Sequence, residues 1–154
     1  MVHRIKKLET NQSELVLFWG SVVLAILGAL DALYLLIFKL TGNSRMCLGN
    51  GGCHDVNFSS YSEIYGIPVS LFGLSAFLAI LCILFLEGRL NFAKGNGPLA
   101  IFGISLGGVL FTAYLTYLEI YVIHAICPFC VASAVLITLI FILAIIRLVK
   151  QTVY

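Results

Sequence analysis

Four long apolar runs constrain this chain more than anything else in it. They are Leu15 to Phe38, Ile67 to Leu86, Leu99 to Leu118 and Cys127 to Val149, and Asp31 is the one charge well inside them. Each is long enough to cross a hydrocarbon core of about 30 Å as a helix. In lipid every backbone polar group must be bonded within the chain, so runs of this kind specify helices. The composition agrees, at 61% hydrophobic and 10% charged residues, with a mean hydropathy of +1.08. The expected fold is all-α and integral to a membrane: a four-transmembrane-helix bundle, one domain over residues 1–154, in contact with the lipid bilayer. A net charge of +2 gives no case for nucleic acid, and no nucleic-acid partner is expected.

Where the charges lie is more informative than their sum. Segments 1–14, 87–98 and 147–154 hold Arg4, Lys6, Lys7, Arg89, Lys94, Arg147 and Lys150, whereas segments 41–66 and 119–126 hold only Arg45. Lys39 ends the first run and is expected to snorkel. This bias places both termini in the cytoplasm and the 41–66 loop outside. The polar start, Met1 to Ser13, does not read as a cleavable signal peptide, because the apolar run after it is too long. Gly103, Gly107 and Gly108 allow close helix contact in the third span, the first two as a GxxxG pattern.

The same topology sorts the five cysteines. Cys47, Cys53, Cys127 and Cys130 fall on the outer side, where disulfides form and persist. Cys82 lies near the other end of span two and reads as a small packing residue. Cys127-Pro128-Phe129-Cys130 opens the last apolar run. A helix beginning here places both sulfurs in its first turn, where unsatisfied N–H groups favour a thiolate. Pro128 suits that turn, having no N–H to lose. Spacing alone leaves three readings open: thiol–disulfide chemistry; a soft-metal site drawn from Cys47, Cys53, His54, His124, Cys127 and Cys130; and outer disulfides that merely staple loops.

The residues also carry a resemblance. Cys47 and Cys53, then Ser59, then Tyr65-Gly66-Ile67-Pro68-Val69-Ser70-Leu71-Phe72-Gly73, then the Cys127–Cys130 motif, stand in an order similar to the vitamin K epoxide reductase family in its prokaryotic form. The other quinone-linked disulfide-forming membrane family has its CxxC first and its wide pair second, the reverse of the order here. The resemblance implies a four-helix bundle around a quinone of ubiquinone, menaquinone or phylloquinone type. It implies that Cys127 and Cys130 form the active-site pair, with Cys130 facing the quinone and Cys127 attacked by a loop thiol. Cys47 and Cys53 become a shuttle from a thioredoxin-like or DsbA-like protein, and Ser59 belongs to a short amphipathic segment that caps the pocket. Many bacterial relatives carry a fused thioredoxin-like domain. This chain ends at Tyr154, so its partner is expected to act in trans. The animal enzymes place an Asn and a Tyr near the quinone where Val69 and Ala134 stand here, which favours plain quinone reduction over epoxide reduction. The expected setting is a prokaryotic plasma membrane with the active site on its outer face.

Several residues remain as candidates around that pocket. Phe58, Tyr61, Tyr65, Phe72, Tyr114 and Phe129 are placed to stack on or hydrogen-bond a quinone, and equally to belt the membrane interface. No metal is expected on the quinone reading. Asp31 lies about 25 Å along the first helix from Glu14 at 1.5 Å per residue, near the outer interface, as a solvated or paired acid or a proton-path residue. His54 and His124 flank the two cysteine pairs, either as polar loop residues or as groups that lower a thiol pKa. Gly49, Gly51 and Gly52 offer the shuttle loop flexibility.

Overall fold

The computed structural model describes residues 2–42, 52–89 and 93–153. Cys47, Arg45, Gly49 and Gly51 lie outside the described residues. Among the described residues, five helices run in the order α1 (Val2–Thr41), α2 (Gly52–Asn57), α3 (Val69–Arg89), α4 (Ala93–Leu118) and α5 (Pro128–Val153). A hairpin of two short strands, β1 (Glu63–Ile64) and β2 (Ile67–Pro68), precedes α3. A single π-helical turn, Glu119–Ile123, ends α4.

The four long helices are long and apolar enough to cross a membrane, over Gln12–Thr41, Val69–Glu87, Asn96–Ile123 and Pro128–Thr152. Large apolar side chains such as Trp19, Leu30, Phe85, Leu110 and Val135 cover their outer faces. A surface of that kind is stable only against lipid, and the protein is an integral membrane protein. The expected spans are thus found, with shifted ends. Ile67 and Pro68 belong to the hairpin and not to span two. α4 starts earlier than expected and runs through Pro98, which is fully buried; burial of its ring offsets the backbone bond it cannot donate.

α1 packs on α3 and α5, and α4 packs on the same two helices, so the four form a closed ring. Ala25, Ala32, Phe77, Ile80, Ile101, Ile137 and Ile140 fill its centre. Close approach comes at Gly108, one of the three expected glycines, and at Gly28, but not at the GxxxG pair. A Cβ on Gly28 would lie 2.3 Å from the Phe77 ring, and one on Gly108 would lie 2.7 Å from Ile137, whereas Gly103 and Gly107 face open space. A buried ion pair closes the opposite end from the cysteines, with Arg147 Nη2 at 3.0 Å from Glu87 Oε1.

Lys39, at the end of α1, reaches the outer segment. Its ammonium donates to the Asn57 carbonyl, to Ser62 Oγ at 2.6 Å and to Glu63 Oε1 at 3.1 Å. Three acceptors on the outer segment give it a better-satisfied position than the membrane surface, and they tie residues 57–63 to the end of α1. The hairpin turn follows directly. Tyr65 and Gly66 both take positive φ, 54° and 80°, the pattern a two-residue hairpin loop needs.

Candidate active site

The cysteines meet where the short helix α2 lies on the connection between α4 and α5. Gly52 makes that approach possible: a Cβ there would come to 2.4 Å from the Ile126 carbonyl oxygen. The next residue, Cys53, therefore lands on the residue after Ile126. Cys53 Sγ and Cys127 Sγ are 3.5 Å apart, and both side chains are buried. Leu35 and Phe38 from α1, with Val56, Phe129 and Cys130, pack around them as a second small core.

Cys127 is the residue just before α5, and Pro128 is its first helical residue. The Cys130 N–H donates to Cys127 Sγ at 3.4 Å. The sulfur thus does the work of an N-cap side chain. The Cys130 thiol hydrogen-bonds to it as well, and this contact does most to pull the Cys127 pKa from the ordinary 9.0 down to about 7, against the opposing effect of burial. The Cys130 amide and Cys53 add to the lowering. Cys127 is therefore the thiol poised to ionise near neutral pH.

In the sequence residues 119–126 read as a plain connection; the fold makes Glu119 part of the site. Its backbone carbonyl accepts from the N–H of His124, held at φ 55°, and from Ala125 at 3.1 Å. Its side chain, 3% exposed, accepts from the Cys127 N–H through Oε2 at 3.4 Å and is hydrogen-bonded to the Cys130 thiol. π turns of this sort recur at functional sites. The available signal was an acid at the mouth of an apolar span eight residues before a CxxC.

Cys130 opens onto a cavity of about 100 Å³ between α3, α4 and the outer segment. Its wall is mostly apolar, with Phe111, Leu115 and Ile123 from one face of α4 and the π turn. Polar groups enter from Asn57, Ser59, Tyr61 and Ser62 in the cap, Ser70 on α3, Thr112 and Thr116 on α4, Glu119, and Ser133 below Cys130. Ser133 donates to Asp31 Oδ2, so Asp31 is a paired acid adjoining this site. Asn57 Nδ2 and Ser70 Oγ are buried and have no hydrogen-bond partner among the described residues. Unpaired buried donors of this kind call for an explanation.

Ser59 stands in the turn just past α2 rather than on it, with its hydroxyl on the Val56 carbonyl at 2.8 Å. Of the aromatic candidates, Tyr61 lines the cavity and the others lie outside its wall. Phe58 stacks on His54 at 4.6 Å and Phe129 meets Tyr34 at 4.8 Å. Tyr65 is fully exposed at the hairpin tip. Phe72 and Tyr114 are exposed on outward faces of α3 and α4; the helical repeat that turns Phe111 and Leu115 inward turns Tyr114 and Tyr117 out. His54 sits near Asp55 at 4.0 Å. Among the described residues, no three of His, Cys, Asp and Glu converge closely enough to hold a metal ion.

Comparison with known proteins bears on this geometry. A sequence model of the vitamin K epoxide reductase family matches residues 19–145. The thiol-disulfide oxidoreductase LTO1 of Arabidopsis thaliana is 34% identical over 113 residues, which is 70% of this chain and 30% of that protein. The chain therefore spans under a third of the length of the curated relative it matches.

Proposed function

The chain belongs to the vitamin K epoxide reductase family, and from that membership we propose that it is a membrane thiol–disulfide oxidoreductase. On this reading it takes two electrons from a thioredoxin-like protein at Cys47 and Cys53, passes them to Cys127 and Cys130, and delivers them to a quinone. The oxidised partner then places disulfides in exported proteins. The charge bias of the loops supports an outer-face site and cytoplasmic termini. The name of the plant relative, a thiol-disulfide oxidoreductase, is consistent with the reading.

The observation that carries it is the 3.5 Å approach of Cys53 Sγ to Cys127 Sγ, with Cys130 opening on the cavity behind. Exchange requires a thiolate to reach the nearer sulfur of a disulfide and a leaving sulfur on the far side. Cys53 is thus the relay thiol and Cys47 the residue left to meet the partner. Attack on Cys127 forms a Cys53–Cys127 bond, breaks Cys127–Cys130, and leaves the electron pair on Cys130. A second thiol of the shuttle then resolves the mixed disulfide and leaves a dithiol at Cys127 and Cys130.

The cavity residues fit a quinone head. Such a ring needs apolar walls and one donor for each carbonyl oxygen. Asn57 Nδ2 and Ser70 Oγ are buried donors that lack partners, and they would hold it. When bound, a quinone supplies a two-electron, two-proton acceptor. Ser59 and Ser62, anchored by Lys39, hold the Asn57 segment over the cavity.

The test uses purified protein in detergent, reduced thioredoxin-like protein and a soluble ubiquinone or naphthoquinone analogue, with quinone loss followed by absorbance. Wild type consumes quinone. Cys47→Ala, Cys53→Ala, Cys127→Ala and Cys130→Ala each abolish consumption with the protein reductant. The two loop variants keep it with dithiothreitol, which reaches the inner pair directly. Wild type inert towards every quinone, or any single cysteine variant as active as wild type with the protein reductant, overturns the relay.

A further inference from the structure

Opening a disulfide at Cys127–Cys130 leaves a thiolate on Cys130, in a cavity with mostly apolar walls. An isolated charge there is strongly disfavoured, so the leaving sulfur needs a proton at the moment the bond breaks. The side chain that touches both cysteines is Glu119. Its carboxyl takes the Cys127 N–H at 3.4 Å and is hydrogen-bonded to the Cys130 thiol. It is 3% exposed, and no Lys, Arg or His lies in ion-pair contact with it among the described residues. A carboxyl kept solely for structure would gain more from a cation or from open water.

We infer that Glu119 is the general acid and base of the inner cysteine pair, giving its proton to the Cys130 sulfur as the disulfide opens and taking it back as the disulfide closes. The inference rests on the relay reading, since it treats Cys127 and Cys130 as a redox pair. The step balances as follows. The Cys53 thiolate attacks Cys127 Sγ; the Cys53–Cys127 bond forms and the Cys127–Cys130 bond breaks. The displaced electron pair on Cys130 Sγ takes the Glu119 proton, leaving a thiol and a carboxylate. In the reverse exchange the Cys130 thiol gives its proton back to Glu119 as its sulfur attacks Cys127 Sγ; the Cys127–Cys130 bond forms, the Cys53–Cys127 bond breaks, and Cys53 leaves as the thiolate. The titratable groups around this carboxyl are Cys127 and Cys130, with Cys53 behind Cys127, Tyr61 across the cavity, and Asp31 beyond Ser133.

The experiment needs no quinone. Full-length oxidised protein in detergent is mixed with reduced thioredoxin-like protein at a series of pH values, quenched in acid, and alkylated. The appearance of Cys127 and Cys130 thiols is read by mass spectrometry. Glu119→Gln keeps an oxygen for the Cys127 N–H and has no proton to give. It is expected to slow opening about a hundredfold, within the usual range for general acids, and to erase the slowing at high pH that wild type shows as its acid is lost. Glu119→Asp is expected to restore part of the rate together with that pH limb. A Glu119→Gln protein that opens at the wild-type rate and with the wild-type pH profile overturns the inference. Should Glu119→Gln fail to fold, a folded Glu119→Asp whose pH limb is unmoved from wild type overturns it equally. The two readings fail separately: quinone consumption absent in wild type defeats the proposed function, while the opening rate still reports on Glu119.

Discussion

Alanine at Gly52 would place a methyl carbon 2.4 Å from the Ile126 oxygen and 3.2 Å from its carbonyl carbon. Ordinary contact starts at 3.4 Å, and the obstacle is backbone, which cannot swing aside as a flexible side chain does. Helix α2 must therefore retreat by about 1 Å, opening the two sulfurs from 3.5 Å to roughly 4.5 Å, and a misplacement of about 1 Å at reacting atoms costs on the order of a hundredfold in rate. The expected outcome is a hundredfold loss of quinone consumption with the protein reductant. Dithiothreitol-driven consumption stays near wild type, because a small thiol enters without α2. Gly103→Ala, which meets nothing within 4 Å, serves as the control and leaves both rates unchanged. If Gly52→Ala keeps the full rate with the protein reductant, the Cys53–Cys127 approach is not the route of the electrons.

Further outcomes are expected at the thiols, the ion pair and the loop clamp. With a pKa of about 7 rather than 9.0, Cys127 is about half thiolate at pH 7 instead of about 1%. Its lower basicity takes back part of that gain, for a net advantage of roughly sixfold in exchange. Because the pKa is lowered, the thiolate is present above pH 7 and lost as pH falls through it. Cys130→Ala removes the main cause and should shift the thiolate absorbance step upward, with Cys127→Ala identifying the step. Glu87→Gln leaves the buried Arg147 uncompensated and should cost roughly 3–5 kcal/mol in detergent unfolding, whereas Glu87→Gln combined with Arg147→Met should cost far less. Lys39→Met unties the 57–63 segment and should raise the quinone KM several-fold with little change in the dithiothreitol-dependent exchange rate, since its hydrogen bonds go to Asn57, Ser62 and Glu63 and none to a cysteine.

Much of this was legible in the chain itself. Period, length and the near absence of charge fix four membrane helices, because lipid leaves the backbone no alternative. Pro128 after Cys127 marks the helix start, because in the first turn a residue without an N–H costs no intrahelical bond. Arg147 enters the sequence reading only in the charge count of the inner segments, and its partnership with Glu87 depends on two helices meeting. The GxxxG pair in α4 faces open space while Gly108 meets Ile137, since which face of a helix meets a neighbour is set by the other three helices. The aromatics near the site could not be sorted for the same reason.

The sequence alone determined the membrane spans and the cysteines with their order along the chain, because these are local facts of composition and spacing. Only the tertiary structure decided which cysteine meets which, that Gly52 admits α2 to the Ile126 carbonyl, and that Glu119 turns inward onto Cys127 and Cys130. Those are distances between segments far apart along the chain, and they come from packing α2, the π turn and the start of α5 into one small volume, which no periodicity within any one segment encodes.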